Sequence, residues 1–97
     1  MIRNFLNSGT EDIFNGKSTK VSRKLLPSSL LNVAVRKLDQ LDSVAILTDL
    51  SVPPGNRLEA LTGNRKGQFS IRINEQYRIC FCWAEDGPFS VEITDYH

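Results

Sequence analysis

The spacing of apolar residues changes once along the chain, and that change divides it into two kinds of structure. After Pro27-Ser28-Ser29, the residues Leu31, Ala34, Val35, Leu38 and Leu41 recur at the i, i+3, i+4, i+7, i+10 spacing of one apolar stripe. This predicts an amphipathic helix with Arg36, Lys37, Asp39 and Gln40 facing water. Upstream, Ile2 to Leu6 reads as a short strand, and Thr10-Glu11-Asp12 resembles a helix start, a capping hydroxyl with acids in the first turn, closed by Gly16. The segment Lys17 to Lys24 carries four positive charges and Val21 as its one apolar residue, which predicts a basic loop. Ile46 to Leu50 adds a helical turn before Pro53-Pro54-Gly55 forces a reversal.

From Arg57 onward the period is two. Arg57 to Leu61, Gln68 to Ile73, Tyr77 to Trp83 and Phe89 to Thr94 are candidate strands, joined by short loops rich in Gly, Asn and Asp that favour antiparallel neighbours. Helices first and strands afterwards make an α+β fold, with N-terminal helices packed on a mainly antiparallel sheet of four to five strands. Phe69, Ile71 and Ile73 alternate with Ser70, Arg72 and Asn74; Tyr77, Ile79, Phe81 and Trp83 alternate with Arg78, Cys80 and Cys82. Matching the apolar faces sets Ile73 opposite Tyr77, because a slip of one residue would invert a face. Arg72 then lies directly opposite Arg78, a like-charge pair that costs roughly a few tenths of a kcal/mol. A bound polyanion would supply a reason for it; pairing of Arg72 with Glu92 or Glu59 is the alternative. Tyr77, Phe81 and Trp83 sit on the apolar parity and read as core.

Length and composition narrow the classes. With 97 residues, 40% of them hydrophobic and 24% charged, the chain suits one domain over residues 1–97 and is too apolar for disorder. No apolar stretch approaches the ~18 residues of a membrane span, and Met-Ile-Arg-Asn-Phe-Leu-Asn lacks a signal-peptide layout, so a cytoplasmic protein with no membrane association is expected. Cys80 and Cys82 share a strand face, a poor geometry for closing a disulfide, and are expected to be reduced core residues. His97 is the one histidine, so neither a metal site nor a hydrolase triad is expected, and no Gly-x-Ser-x-Gly elbow or glycine-rich phosphate loop occurs. An enzyme built on this chain would work without metal or organic cofactor.

The formal charge of +1 hides an uneven distribution. Residues 1–37 carry seven basic and two acidic side chains, while residues 38–97 carry five basic and nine acidic. All five of the latter bases, Arg57, Arg65, Lys66, Arg72 and Arg78, precede position 79, and four are arginines, whose planar fork suits phosphate. Glu85, Asp86 and Glu92 belong to the last hairpin, apart from that cluster in sequence. Such a run is either a solvated face or a weak pointer to nucleic acid.

The segment Asn-Arg-Leu-Glu-Ala-Leu-x-Gly-Asn-Arg from Asn56 to Arg65, the strand Gln68 to Asn74, the strand Gln76 to Phe81, the terminal Asp95-Tyr96-His97 and the opening Met-Ile-Arg-x-Phe together resemble the HigB toxins, a branch of the RelE/ParE superfamily. The resemblance implies a compact fold with a curved antiparallel sheet and the toxin of a type II toxin–antitoxin pair. It further implies cleavage of messenger RNA on the ribosome and restraint by a HigA-like helix-turn-helix antitoxin, with DNA contacted only through the antitoxin complex. The family's catalytic terminus carries over onto Asp95, Tyr96 and His97, and its phosphate-binding strand arginine onto Arg78. Some members have histidine where this chain has Glu59.

Metal-free RNA cleavage uses the substrate's own 2′-OH, so the protein must remove that proton, stabilise the crowded phosphate and protonate the leaving 5′-oxygen. His97 is the one side chain with an unperturbed titration near neutrality, fit to be acid or base. Glu59 either transfers the second proton or orients an arginine. Arg57, Arg72 and Arg78 would hold the scissile phosphate, with Arg65 and Lys66 as further RNA contacts. Asp95 would orient His97 or Arg78, and Tyr96 would stack on a base or position the phosphate. A non-enzymatic ParE-like toxin that blocks a protein target is the competing reading, and an inactive RNA-binding domain a third. A chain this weakly basic would depend on the ribosome to present its substrate.

Overall fold

A computed structural model describes residues 1–95. Three helices come first: α1 (Ser8–Phe14), α2 (Lys20–Leu25) and α3 (Leu31–Ser43). A four-stranded antiparallel sheet follows, with β1 (Glu59–Ala60), β2 (Phe69–Arg72), β3 (Tyr77–Ala84) and β4 (Gly87–Asp95) in sequential order. Short 3-10 turns at Ser28–Leu30, Leu47–Ser51, Pro54–Asn56 and Gly63–Arg65 link them. The α+β expectation and the long amphipathic helix hold. None of the described helices is long and apolar enough to cross a membrane.

The core lies between the helices and one sheet face. Ile71, Ile79, Phe81, Val91 and Ile93 from the sheet meet Ile13, Leu26, Ala34, Leu38, Leu41 and Leu50 from the helical half, and all are buried. At roughly 1.5–3 kcal/mol for each large side chain, this burial supplies the main force of folding. The predicted register is observed: Ile71 pairs with Ile79 and Arg72 with Arg78. Tyr77 and Trp83 pack partly buried against that core, as their parity requires. In β4 the register shifts opposite the Cys80–Cys82 segment, and Ser90 takes a left-handed φ of 52° there. This bulge sets Phe89 opposite Cys82, on the face away from the helices.

Four expectations are corrected. The cap of α1 is Asn7, whose side-chain oxygen accepts from the Thr10 backbone N–H at 2.9 Å. Thr10 lies inside the helix and is fully buried; its hydroxyl donates to Asn7 Oδ1 at 2.8 Å and accepts from the Ile93 N–H at 2.9 Å. That second bond joins α1 to the free edge of β4, which short-range pattern could not reveal. The basic stretch is not a loop throughout, because Thr19 and Ser22 form a reciprocal capping box that starts α2. Arg57 is not in a strand: its φ of 47° breaks the extended run, leaving two residues in β1. The segment Ile2 to Leu6 forms no full strand but a parallel bridge of Phe5 with Val91, reinforced by the Arg3 N–H on Pro88 O and the Leu6 N–H on Val91 O. It covers the β4 edge without extending the ladder.

Cys80 and Cys82 are free thiols, as expected, though both lie on the face away from the helices. Cys80 is fully buried and Cys82 only half-buried. Burial pushes the Cys80 thiol up; Arg65 and Arg78 act against this and Glu92 adds to it, each by less. Folded protein at pH 8 should therefore show one thiol reactive towards DTNB, abolished by Cys82→Ser, while Cys80 reacts only on unfolding. Thr10→Val, which keeps the shape but strands the Ile93 N–H, should lower unfolding stability by about 1–3 kcal/mol in urea titration with an unchanged m-value.

Candidate functional site

Because successive strand residues point to opposite faces, burying one face of this sheet against the helices assigns the other to polar side chains. The pairings Glu59 with Ser70, Ser70 with Cys80 and Cys80 with Glu92 form one row across all four strands. Arg72, Arg78 and Thr94 form the next row. The like-charge pair required by the hydrophobic register is real.

Arg78 is 8% exposed, and its Nη1 donates to the Asn74 carbonyl at 2.8 Å, with a longer contact to Glu75 O. The β2–β3 loop thus supplies carbonyl oxygens that make this buried guanidinium tolerable. Arg72 is treated differently. Its Nε is buried without a hydrogen-bond partner among the described residues, as is the hydroxyl of neighbouring Ser70. The expected alternative pairing of Arg72 with Glu92 or Glu59 does not form. Glu92 instead accepts from Arg65 Nη1 at 2.8 Å, and Arg65 Nη1 also meets Gln68 Oε1 at 3.0 Å. Glu92 is therefore not apart from the arginine cluster but inside it, carried there by its pairing with Cys80.

The remaining predicted site residues divide by position. Glu59 is exposed on the edge strand, on the same face as Arg72. Arg57 and Lys66 are exposed on the turns flanking β1. Asp95 ends β4 opposite Tyr77, and its Oδ2 accepts from Gln76 Nε2 at 3.0 Å, beside the loop that holds Arg78. Tyr96 and His97 lie outside the described residues. Among those described, no three His, Cys, Asp or Glu side chains gather to hold a metal ion.

One basic residue escaped the sequence reading. Lys37 does not simply face water: its Nζ donates to the Arg72 main-chain oxygen at 2.6 Å. Its ammonium is held below the usual lysine range by burial, then by the neighbouring Arg36 and Arg72 charges. Lys37 sits three residues after Ala34 and one before Leu38, at the margin of the apolar stripe, which is the only signal the sequence held.

Comparison with known proteins identifies the family. A family model described as "RelE-like toxin of type II toxin-antitoxin system HigB" matches residues 3–97. Toxin HigB-1 of Vibrio cholerae is 52% identical over 62 residues, 64% of this chain and 65% of that protein. An uncharacterized Haemophilus influenzae protein is 41% identical over 56 residues, 58% of this chain and 55% of that one. Each alignment thus covers less than two thirds of the relative's length. The YoeB-YefM complex from Staphylococcus aureus contains a chain of similar fold, with a TM-score of 0.54 at 15% identity, covering 100% of this chain and 98% of that one. The family match spans nearly the whole chain and includes the arginine-bearing strands, so the chain belongs to the HigB-like family, RelE-like toxins of type II toxin–antitoxin systems.

Proposed function

We propose that this toxin is a ribosome-dependent endoribonuclease that cleaves translated mRNA and is neutralised by a HigA-like helix-turn-helix antitoxin. The observation that carries the reading is the Arg72–Arg78 pair, set opposite each other with no carboxylate paired to Arg72 and its buried Nε unpartnered among the described residues. A phosphate is the ligand that would turn this electrostatic cost into binding energy. The face is also compatible with a single-stranded substrate delivered in a narrow site, since it is a strip of two polar rows and not a broad basic surface.

In this reading the RNA 2′-OH attacks the adjacent phosphorus, and the 5′-oxygen leaves. Arg72 and Arg78 hold the non-bridging oxygens as their charge grows. His97, carried over from the family resemblance, exchanges the proton with the nucleophile or the leaving oxygen; Tyr96 positions the base or phosphate and Asp95 orients its neighbours. Glu59 lies one row from Arg72, on the same face, so it serves as the second proton-transfer group or as an orienting carboxylate. Arg65, held by Glu92, is a further RNA contact on this face, while Arg57 and Lys66 contact RNA at its margins. Because the nucleophile belongs to the substrate, no metal or organic cofactor is required for this route.

Expression without antitoxin should arrest growth and produce cleavage fragments of translated mRNA, visible by primer extension and absent when ribosomes are omitted in vitro. Arg72→Ala should lower the cleavage rate about 10²–10³-fold, the usual size for loss of a preorganised donor to developing charge. Deletion of His97 should do at least as much. Full toxicity in both variants would overturn the site, and growth arrest with intact mRNA would transfer the protein to the target-blocking class.

A further inference from the structure

We propose that the cleft between α3 and the Pro53–Asn56 turn is a second RNA-backbone subsite, in which Arg36 and Lys37 hold a phosphate adjacent to the one bound at Arg72. This rests on the ribonuclease reading and extends its substrate contacts beyond the scissile bond. The cleft has a volume of about 430 Å³ and is lined by Arg36, Lys37, Gln40, Pro53 and Asn56. It is joined to the sheet site by the Lys37 Nζ bond to the Arg72 carbonyl. Arg36 and Lys37 thus reach the end of β2 from the helical side, while the Arg72 side chain lies on the opposite face of the same strand end, and no carboxylate pairs with Arg36, Lys37 or Arg72 among the described residues. A structural role for Lys37 accounts for one hydrogen bond. It does not account for the exposed Arg36 beside it, whose charge and that of Arg72 both disfavour the Lys37 ammonium.

The opposite wall is preorganised. Asn56 is fully buried and its Nδ2 donates to Leu50 O and to Gln40 Oε1, each at 3.0 Å, while Gln40 Nε2 donates to Val52 O at 2.6 Å. Asn56 Oδ1 keeps no partner among the described residues. A cleft that offers cations along one side, against a wall fixed by these hydrogen bonds, matches an RNA backbone phosphate, whose oxygens accept.

The test is the Arg36→Gln/Lys37→Gln double variant, in which glutamine at 37 retains a donor for the Arg72 carbonyl. Binding is measured on ribosomes carrying an mRNA made uncleavable by 2′-O-methylation, and cleavage on the unmodified mRNA. The variant should bind about 5–20-fold more weakly and show KM raised to match, with kcat within about twofold of the wild type. Its log Kd against log salt should be shallower by about 0.7, the single-strand value for one phosphate contact. Unchanged Kd, KM and salt slope overturn the subsite while leaving the nuclease reading intact. Wild-type chain that binds the programmed ribosome without cleaving overturns the nuclease reading, and weaker binding by the variant would still support the subsite. Loss of antitoxin neutralisation with unchanged ribosome binding assigns the cleft to a protein partner and overturns the proposal. If the double variant has a lowered urea midpoint, Arg36→Gln alone, at an exposed position, carries the same test.

Discussion

A strand has two faces, and in this protein one of them must be buried. Ile71, Ile79, Phe81 and Ile93 can be taken from water together only in the observed register. A one-residue slip would place arginine, serine and cysteine against Leu38 and Leu41. The cost of that exchange, several large side chains exposed and charges buried, far exceeds the few tenths of a kcal/mol of repulsion between Arg72 and Arg78. Hydrophobic burial therefore holds the two arginines together whether or not a ligand is present. The arginine pair is preorganised by the core behind it.

What differs between the two arginines is how the rest of the chain answers their charge. Arg78 is enclosed by the carbonyls of the loop that joins its own strand to β2. Arg72 has its main-chain carbonyl engaged by a lysine from α3, which adds positive charge beside it. Glu92, one row away on the same face, is occupied by Arg65. The same ion pair acts on the buried thiol of Cys80 in both directions, Arg65 lowering and Glu92 raising its titration. The electrostatics of the face depend on side chains from a turn and a helix and on the carbonyls of a loop, and neither Arg65 nor Lys37 adjoins Arg72 in sequence.

The helical half serves the sheet in a second way. A four-stranded sheet leaves the N–H groups of β4 exposed along its outer edge, a liability in a small protein. Asn4, Phe5 and Leu6 cover part of that edge, and the Thr10 hydroxyl takes the Ile93 N–H. At the tip of the β3–β4 hairpin, Gly87 at φ 126° lets the Met1 carbonyl approach where a Cβ would clash. The first ten residues therefore brace the strand that carries Glu92 and Asp95.

The α+β order, the long helix, the β2–β3 register and the opposition of Arg72 and Arg78 are legible in the residues alone, because each follows from local periodicity and from the energetic penalty of misplacing apolar side chains. The resemblance carried by Asn56 to Phe81 and the last three residues also lay open to reading. Tertiary structure decided the rest: Glu92 pairing with Arg65, Lys37 turning to Arg72, Thr10 closing the β4 edge, and Arg57 leaving the strand at a left-handed φ. These depend on which side chains approach one another after the chain has folded. Hydrogen bonds and ion pairs of that kind are short in range and carry no period along the sequence.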